Sequence, residues 1–223
     1  MKIGITGGIG SGKSYVCHLL QEQGYAIYDC DNAAKRLIKT SPEIRKRLTD
    51  LIGPDTYFDD GRLNKGAVAE FLLASESNAH AVDHIVHPAV FDDFIKSGME
   101  WMESAIIFDS GIYRLVDHVI VVTAPEEVRI QRVMQRDGIS REKVKEWMSR
   151  QLPQEVVRLL ADYEIVNDGQ TDLNKQLNII LEMKKVLFVL AAAACMVACG
   201  NKEAKEAGAE EEAVVVEEVA VEE

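Results

Sequence analysis

Apolar residues recur along the chain in short unbroken runs, at 3–6, 25–28, 105–108, 119–123 and, more weakly, 163–166. The runs do not alternate strictly with polar residues, which is the pattern of strands in a parallel sheet covered on both faces. Between them the spacing turns helical. Val16, Leu19 and Leu20 share one helix face, and Pro125 suits the first turn of a helix over 125–135. Strands alternating with helices predict a doubly wound α/β layer. No internal repeat is present.

Two stretches break this alternation. Residues 41–100 have a mostly helical pattern, with a turn at "FDDGRLN", and read as a helical insertion between the second and third strands. Residues 136–153 are rich in Arg, Lys and Glu and close with Pro153, which reads as a mobile helical flap.

The first strand runs directly into "GITGGIGSGKSY", residues 4–15. Gly7, Gly12, Lys13 and Ser14 satisfy the pattern G-x-x-x-x-G-K-[ST] on a strand-to-helix turn. Glycines let successive N–H groups curl inward, and those groups together with a helix N-terminus favour an anion. Lys13 would reach the outer phosphates of a nucleoside triphosphate, and the Ser14 hydroxyl would ligate Mg²⁺. A flexible turn is the alternative, and the flanking strand and helix argue against it.

Composition narrows the class. The chain has 223 residues, 47% hydrophobic and 28% charged, which reads as a soluble globular protein. The net charge of −12 argues against nucleic acid as a main partner. The acidity is uneven: residues 201–223 carry nine Glu against two Lys, −7 of the −12, which leaves −5 for residues 1–200. Cysteines at 17, 30, 195 and 199 form no C-x-x-C and have no His cluster beside them. A zinc site or disulfide framework is therefore not expected, and Cys17 and Cys30 read as buried fillers in a reducing compartment. The first strand begins at once, so no N-terminal signal segment is expected.

Several polar residues could carry chemistry. "YDCDNAAKR" closes the second strand and carries two carboxylates, Asp29 and Asp31. One could take a proton from an attacking hydroxyl while the other supports a metal; a cap on the following helix is the equal alternative. Asp109 is read as ending the third strand, as a second carboxylate near Mg²⁺ or as a turn residue. His87, before Pro88, lies in the insertion and is more often a structural residue there. Arg129, Arg132, Arg136, Arg141 and Arg150 could clamp a phosphoryl group or form a solvated face; Arg132 and Arg136 share one face at i, i+4.

This ordered set of motifs resembles the dephospho-CoA kinase family. The resembling segments are "GITGGIGSGKS", "DCDNAAKR", "DGRLN", "HPAV", "VIVVTAPEEVRIQRVMQRDG" and "ADYEIVNDG", in family order over residues 1–182. The resemblance implies a P-loop kinase-type parallel sheet with helices on both faces, a helical substrate-binding insertion and a helical lid. It implies transfer of the ATP γ-phosphoryl group, with Mg²⁺, to the ribose 3′-hydroxyl of dephospho-CoA, in the cytoplasm. Residues 1–40 and 101–182 would form the nucleotide-binding core, with the lid at about 136–153, and 41–100 the substrate subdomain.

By position, the resemblance places Gly8, Ile9, Gly10, Ser11, Gly12, Lys13, Ser14 and Tyr15 around the phosphates, with Arg132 and Asn167 also at the nucleotide. Asp31 resembles the general base and Arg36 completes its motif. Lys13 and Arg136 would join Asp31 in catalysis. Arg36, Lys65, His87 and Asp109 would meet the acceptor. Asn167 and Gly169 resemble the loop beside adenine. Lys65 stands where an Arg is usual, which keeps the charge but loses the bidentate fork. The run from Ala105 to Asp109 stands where Pro-Leu-Leu-aromatic-Glu is common. Another small-molecule kinase of this fold, acting on a nucleotide or nucleoside, is the near rival. A nucleotide switch is the distant one, since "NDGQTD" lacks N-K-x-D.

The resemblance runs out near Glu182. Met183-Lys184-Lys185 reads as a start with a positive segment, and 186–198 is apolar but short for a membrane span. Met196-Val197-Ala198-Cys199 resembles the lipobox of bacterial lipoproteins, and a Glu-rich tether follows. Residues 183–223 thus read as a lipoprotein-like tail outside the kinase. The core would not bind membrane; the tail would attach to one only if processed as a lipoprotein. Alternatively, Leu173, Leu177 and Ile180 begin a last kinase helix that continues through Val189.

Overall fold

The computed structural model describes residues 1–184. Five strands in it, β1 (Ile3–Thr6), β2 (Ile27–Asp29), β3 (Trp101–Glu103), β4 (His118–Thr123) and β5 (Tyr163–Val166), form one sheet in the order β2-β3-β1-β4-β5. Every pairing is parallel. Parallel strands need crossovers, and helices supply them: α1 (Lys13–Glu22), α2 (Cys30–Thr40), α3 (Pro42–Ile52), α4 (Lys65–Ala74), α5 (Glu76–Ser97), α6 (Glu126–Asp137), α7 (Arg141–Met148) and α8 (Gln154–Leu160). Every residue of β1 and Val119 to Thr123 of β4 are buried, so the central strands are covered on both faces.

Residues 1–176 form one unit; 177–223 form a second, of which 177–184 are described and are helical. Helix runs from 173 through Met183 and Lys184 without a break at Glu182. The apolar stretch, the lipobox resemblance and the Glu-rich segment all lie outside the described residues. No helix among the described residues is long and apolar enough to cross a membrane.

The insertion between β2 and β3 is helical, as its pattern predicts. Ile44 and Leu48 of α3 and Ile85 of α5 make one buried cluster within it. Cys30 and Ala33 of α2 and Val86, Val90 and Phe94 of α5 make another, with Tyr28 and Met102 of the sheet. The "FDDGRLN" turn is a tight reversal: Tyr57 bridges Leu63, and the Phe58 N–H donates to the Arg62 carbonyl at 2.8 Å.

The third strand departs from the sequence reading. It is Trp101–Glu103, and residues 105–108 are a turn. Trp101 and Met102 are 2% and 0% exposed and pair with Ile3 and Gly4, whereas Ile106 is 38% exposed. Only Ile107 of the expected run is fully buried, and its side chain lies across Gly4, where an added Cβ would meet it at 2.3 Å. Four apolar residues in a row here mark a turn folded over the sheet. Asp109 therefore does not end a strand. β2 likewise stops at Asp29, so Asp31 lies beyond the strand, in the first turn of α2.

Candidate active site

β1 is the central strand, and its carboxyl end opens into the glycine loop of residues 7–12, which delivers the chain to α1. Gly10 and Gly12 have φ of 78° and 88°, a region L side chains rarely occupy. Space is refused as well as strain imposed: a Cβ on Gly10 would lie 2.5 Å from the Arg129 carbonyl oxygen, and one on Gly12 2.0 Å from Asn167 Nδ2. The N–H groups of Lys13 and Ser14 open α1 ahead of any i−4 acceptor within it, while those of Tyr15 and Val16 donate to the Gly12 carbonyl. A cavity of about 340 Å³ is lined by Gly7, Gly8, Ile9, Gly10, Gly12, Lys13, Ser14, Tyr15, Arg132 and Arg136. Amide N–H groups, an ammonium and two guanidinium groups around one cavity suit a polyphosphate.

Behind the loop, side chains from distant segments hold its carbonyls. Asn167 is buried, and its Nδ2 donates to the Ser11 carbonyl at 2.9 Å. Arg132 donates to Asn167 Oδ1 at 3.2 Å and to the Gly10 and Ser11 carbonyls at 3.4 Å. Arg129, 7% exposed, donates through Nε to the Ile9 carbonyl at 2.9 Å. Burial lowers the Arg129 pKa from its ordinary value. The Ile9 N–H donates to Gln151 Oε1 at 2.8 Å, which ties the loop to the chain after α7. Arg129 and Gln151 were not singled out as loop contacts from sequence. Their one local signal is that Arg129 precedes Arg132 by three residues, on the same helix face.

At the mouth, Glu103 joins the two residues expected to meet the nucleotide. Its Oε1 accepts from Lys13 Nζ and from Ser14 Oγ, the latter at 2.8 Å. Burial alone would push the Glu103 carboxyl up, but the Lys13 ammonium and the Ser14 and Cys17 donors outweigh it and hold the pKa below the usual glutamate value. Sequence reasoning missed Glu103, because the misplaced third strand moved attention to Asp109. Two oxygen donors, the Ser14 hydroxyl and the Glu103 carboxylate, suit a small hard cation shared with phosphate oxygens. Among the described residues no group of three or more His, Cys, Asp or Glu could hold a metal by itself.

One strand further out, Asp29 caps α2. Its side chain accepts from the Asn32 N–H at 2.8 Å and from Asn32 Nδ2 at 2.7 Å. Asp31 is exposed in the first turn of α2. The buried Cys30 thiol between them registers the surrounding charge. Burial, then the Asp31 and Asp29 carboxylates, push it up to about 12, while Lys13 pulls it down.

The remaining expected residues fall in three places. Arg36 pairs with Asp93, which also accepts from the Tyr28 hydroxyl at 2.6 Å. Lys65 is the exposed first residue of α4, and His87 faces Asp83 at 3.5 Å on α5. Asp109 is exposed beyond β3 but lines a small cavity with Thr6, Gly7, Gly8 and Gln151. Arg136 lines the cavity at the loop while both its Nε and Nη2 donate to Asp137 at 2.7 Å.

A parallel sheet whose central strand ends in this loop, with Lys13 and Ser14 opening the next helix, defines a P-loop kinase. A family model described as "CoaE: Dephospho-CoA kinase" matches residues 1–172, and the chain belongs to the dephospho-CoA kinase family. It is similar to dephospho-CoA kinases of Bacteroides fragilis, 40% identical over 84% of this chain and 93% of the relative, and of Porphyromonas gingivalis, 42% identical over 74% and 85%. Among solved structures, TT1252 from Thermus thermophilus has a TM-score of 0.71 at 32% identity, covering 82% of this chain and 97% of its own. A dephospho-CoA kinase from Campylobacter jejuni shares the fold, with a TM-score of 0.60 at 21% identity over 83% and 98%. The doubly wound class and the kinase resemblance hold.

Proposed function

We propose that the protein transfers the γ-phosphoryl group of ATP to the ribose 3′-hydroxyl of dephospho-CoA, giving CoA and ADP. The family supplies the reaction and the use of ATP. The observation that carries the assignment of residues is the placing of Lys13 and Ser14 at the carboxyl end of the central strand. Asp31 follows the β2–α2 junction, two strands from β1, and Arg132 and Arg136 line the cavity at the loop.

Gly8 to Tyr15 wrap the phosphates, and Lys13 turns its ammonium to the β and γ oxygens. Arg132 and Asn167 keep the loop in shape, with Asn167 on the adenine side. Asp31 accepts the proton of the 3′-hydroxyl as the new O–P bond forms and the bond to the β-phosphate oxygen breaks. Arg136 exchanges Asp137 for the transferring group and balances the charge spread over its oxygens. Ser14 would hold Mg²⁺, which would supply charge neutralisation to the triphosphate. Arg36, Lys65, His87 and Asp109 meet the acceptor.

Residues 1–40 and 101–182 act as the nucleotide-binding core, 41–100 as the acceptor subdomain and about 136–153 as the lid, which excludes water from the transfer. The core works in the cytoplasm and binds neither nucleic acid nor membrane. Residues 183–223 are a lipoprotein-like addition that reaches a membrane only if processed.

Purified protein with ATP, Mg²⁺ and either dephospho-CoA, adenosine or AMP tests the reading. CoA and ADP formed in equal amounts with dephospho-CoA are expected. Phosphorylation of AMP or adenosine in its place would move the protein to the rival kinase class.

A further inference from the structure

The arginines that could clamp a phosphoryl group are all engaged in this structure. Arg129 and Arg132 hold main-chain carbonyls of the loop. Arg136 pairs with Asp137, Arg141 with Glu127 and Arg150 with Glu146. The next residue in the chain, Gln151, also lines the cavity at the loop, and no motif announces it.

A carboxamide has an accepting end and a donating end. The Ile9 N–H can only donate, so its 2.8 Å contact fixes the Gln151 oxygen toward the loop. Nε2, with two protons, is thereby turned away from that amide, and among the described residues it donates to no acceptor. The carboxamide is carried on packed structure. Ile9 and Met148 both pack on the buried cluster of Ile130, Val133 and Val144, and the Gln151 N–H donates to the Met148 carbonyl at 3.2 Å.

Gln151 also borders two cavities. One is the cavity at the loop, with Lys13, Ser14 and Arg136; the other is the small one with Thr6, Gly7, Gly8 and Asp109. On the kinase reading the first takes the phosphates of ATP, and Asp109 of the second meets the acceptor. A phosphoryl group in transit passes beside the side chain the two cavities share.

We propose that Gln151 is a catalytic residue whose Nε2 donates to an oxygen of the transferring phosphoryl group, while Ile9 holds its Oε1. No proton or electron pair passes through it. It stabilises the charge on those oxygens as the bond to the β-phosphate oxygen breaks and the bond to the 3′-oxygen forms. The inference rests on the kinase reading and adds a neutral, preorganised donor to its cations.

The test uses the full chain and two variants. Gln151→Glu keeps an oxygen for the Ile9 N–H and removes the donating end; Gln151→Leu removes the donor without adding charge. Single-turnover transfer from ATP to dephospho-CoA, ADP affinity by calorimetry and the melting temperature are compared with the parent. In Gln151→Glu the transfer rate is expected to fall about 10²- to 10³-fold, the usual loss for one donor to developing charge. Its ADP affinity should hold within a few-fold and its melting temperature should not change. In Gln151→Leu the rate should fall further than ADP affinity does. A rate in Gln151→Glu within threefold of the parent overturns the proposal. So does a loss of rate in Gln151→Glu alone, which would report the added charge, or equal falls in rate and ADP affinity, which would report only bracing of the loop. If Gln151→Glu does not fold, Gln151→Leu carries the test on the same comparison. A parent that forms no CoA from dephospho-CoA overturns the kinase reading and this proposal together; an active parent with unaltered variants overturns this proposal alone.

Discussion

Asn167 Nδ2 donates to the Ser11 carbonyl across 156 residues of sequence, and its Oδ1 accepts from Arg132. One buried carboxamide thus fixes the back of the phosphate loop by both its ends. A Cβ on Gly12 has no room because that amide is there.

Asn167→Ala leaves the buried carbonyl without this donor. It is expected to cost about 1–3 kcal/mol of stability, the penalty for a buried polar group left unpaired. Urea titration reads this directly. The KM for ATP should rise more than kcat falls, since the loop is misplaced while the reacting groups remain.

Asp29 and Asp31 should separate cleanly. Asp29→Ala removes the N-cap of α2 and is expected to lower stability by about 0.5–2 kcal/mol. Asp31→Asn is expected to leave the melting temperature unchanged. It should cut the single-turnover transfer rate while ATP affinity holds within a few-fold. The reverse pattern would make Asp29 the base.

Lys13→Ala should lower kcat by roughly 10²- to 10³-fold, the usual loss for one donor to developing charge. Near-normal turnover in a folded variant would end the phosphate-loop assignment. The variant also strips Glu103 of its ammonium, so burial should carry that carboxyl upward, visible as an upward shift of its carbon-13 titration midpoint.

The depressed Glu103 pKa makes a signed pH prediction. A carboxyl whose folded pKa lies below its unfolded one contributes stability that is present above the unfolded value, 4.5, and lost as pH falls through the folded value. The stability difference between parent and Glu103→Gln should therefore be constant above pH 4.5. It should change in the direction of a less stable parent below it. Denaturant midpoints collected across that range check the sign.

A chain ending at Glu182 should match the full chain in kcat and melt within a few degrees of it. This cut keeps Leu177, Ile180 and Leu181, which are buried. Loss of folding on truncation would assign the rest of the chain to the enzyme.

The sequence was most legible where one local pattern meets one element. The runs at 3–6 and 163–166 are β1 and β5 to the residue, and 119–123 misses one residue of β4. The loop glycines, Lys13 and Ser14 lie where their spacing puts them. β3 was misread because two buried residues, Trp101 and Met102, make a weaker signal than the four apolar residues that follow. Glu103 was lost with it. Arg129 to Ile9 and Asn167 to Ser11 join positions more than 100 residues apart, so no local spacing could announce them. For Asp29, the capping alternative proved to be its structural role.

The strand order gives the two sides of the reaction unequal footing. β1 is laddered to β3 on one side and β4 on the other, so the base of the phosphate loop cannot shift without breaking two sets of main-chain hydrogen bonds. β2, which leads to Asp29 and Asp31, has three residues and, among the described residues, is an edge strand laddered only to β3. Amide protons of Ile3 to Thr6 should therefore exchange only on global unfolding, while those of the β2–α2 junction open more readily. On the proposed assignment, the donor rests on a fixed anvil, and the acceptor meets it at the part of the sheet that can give.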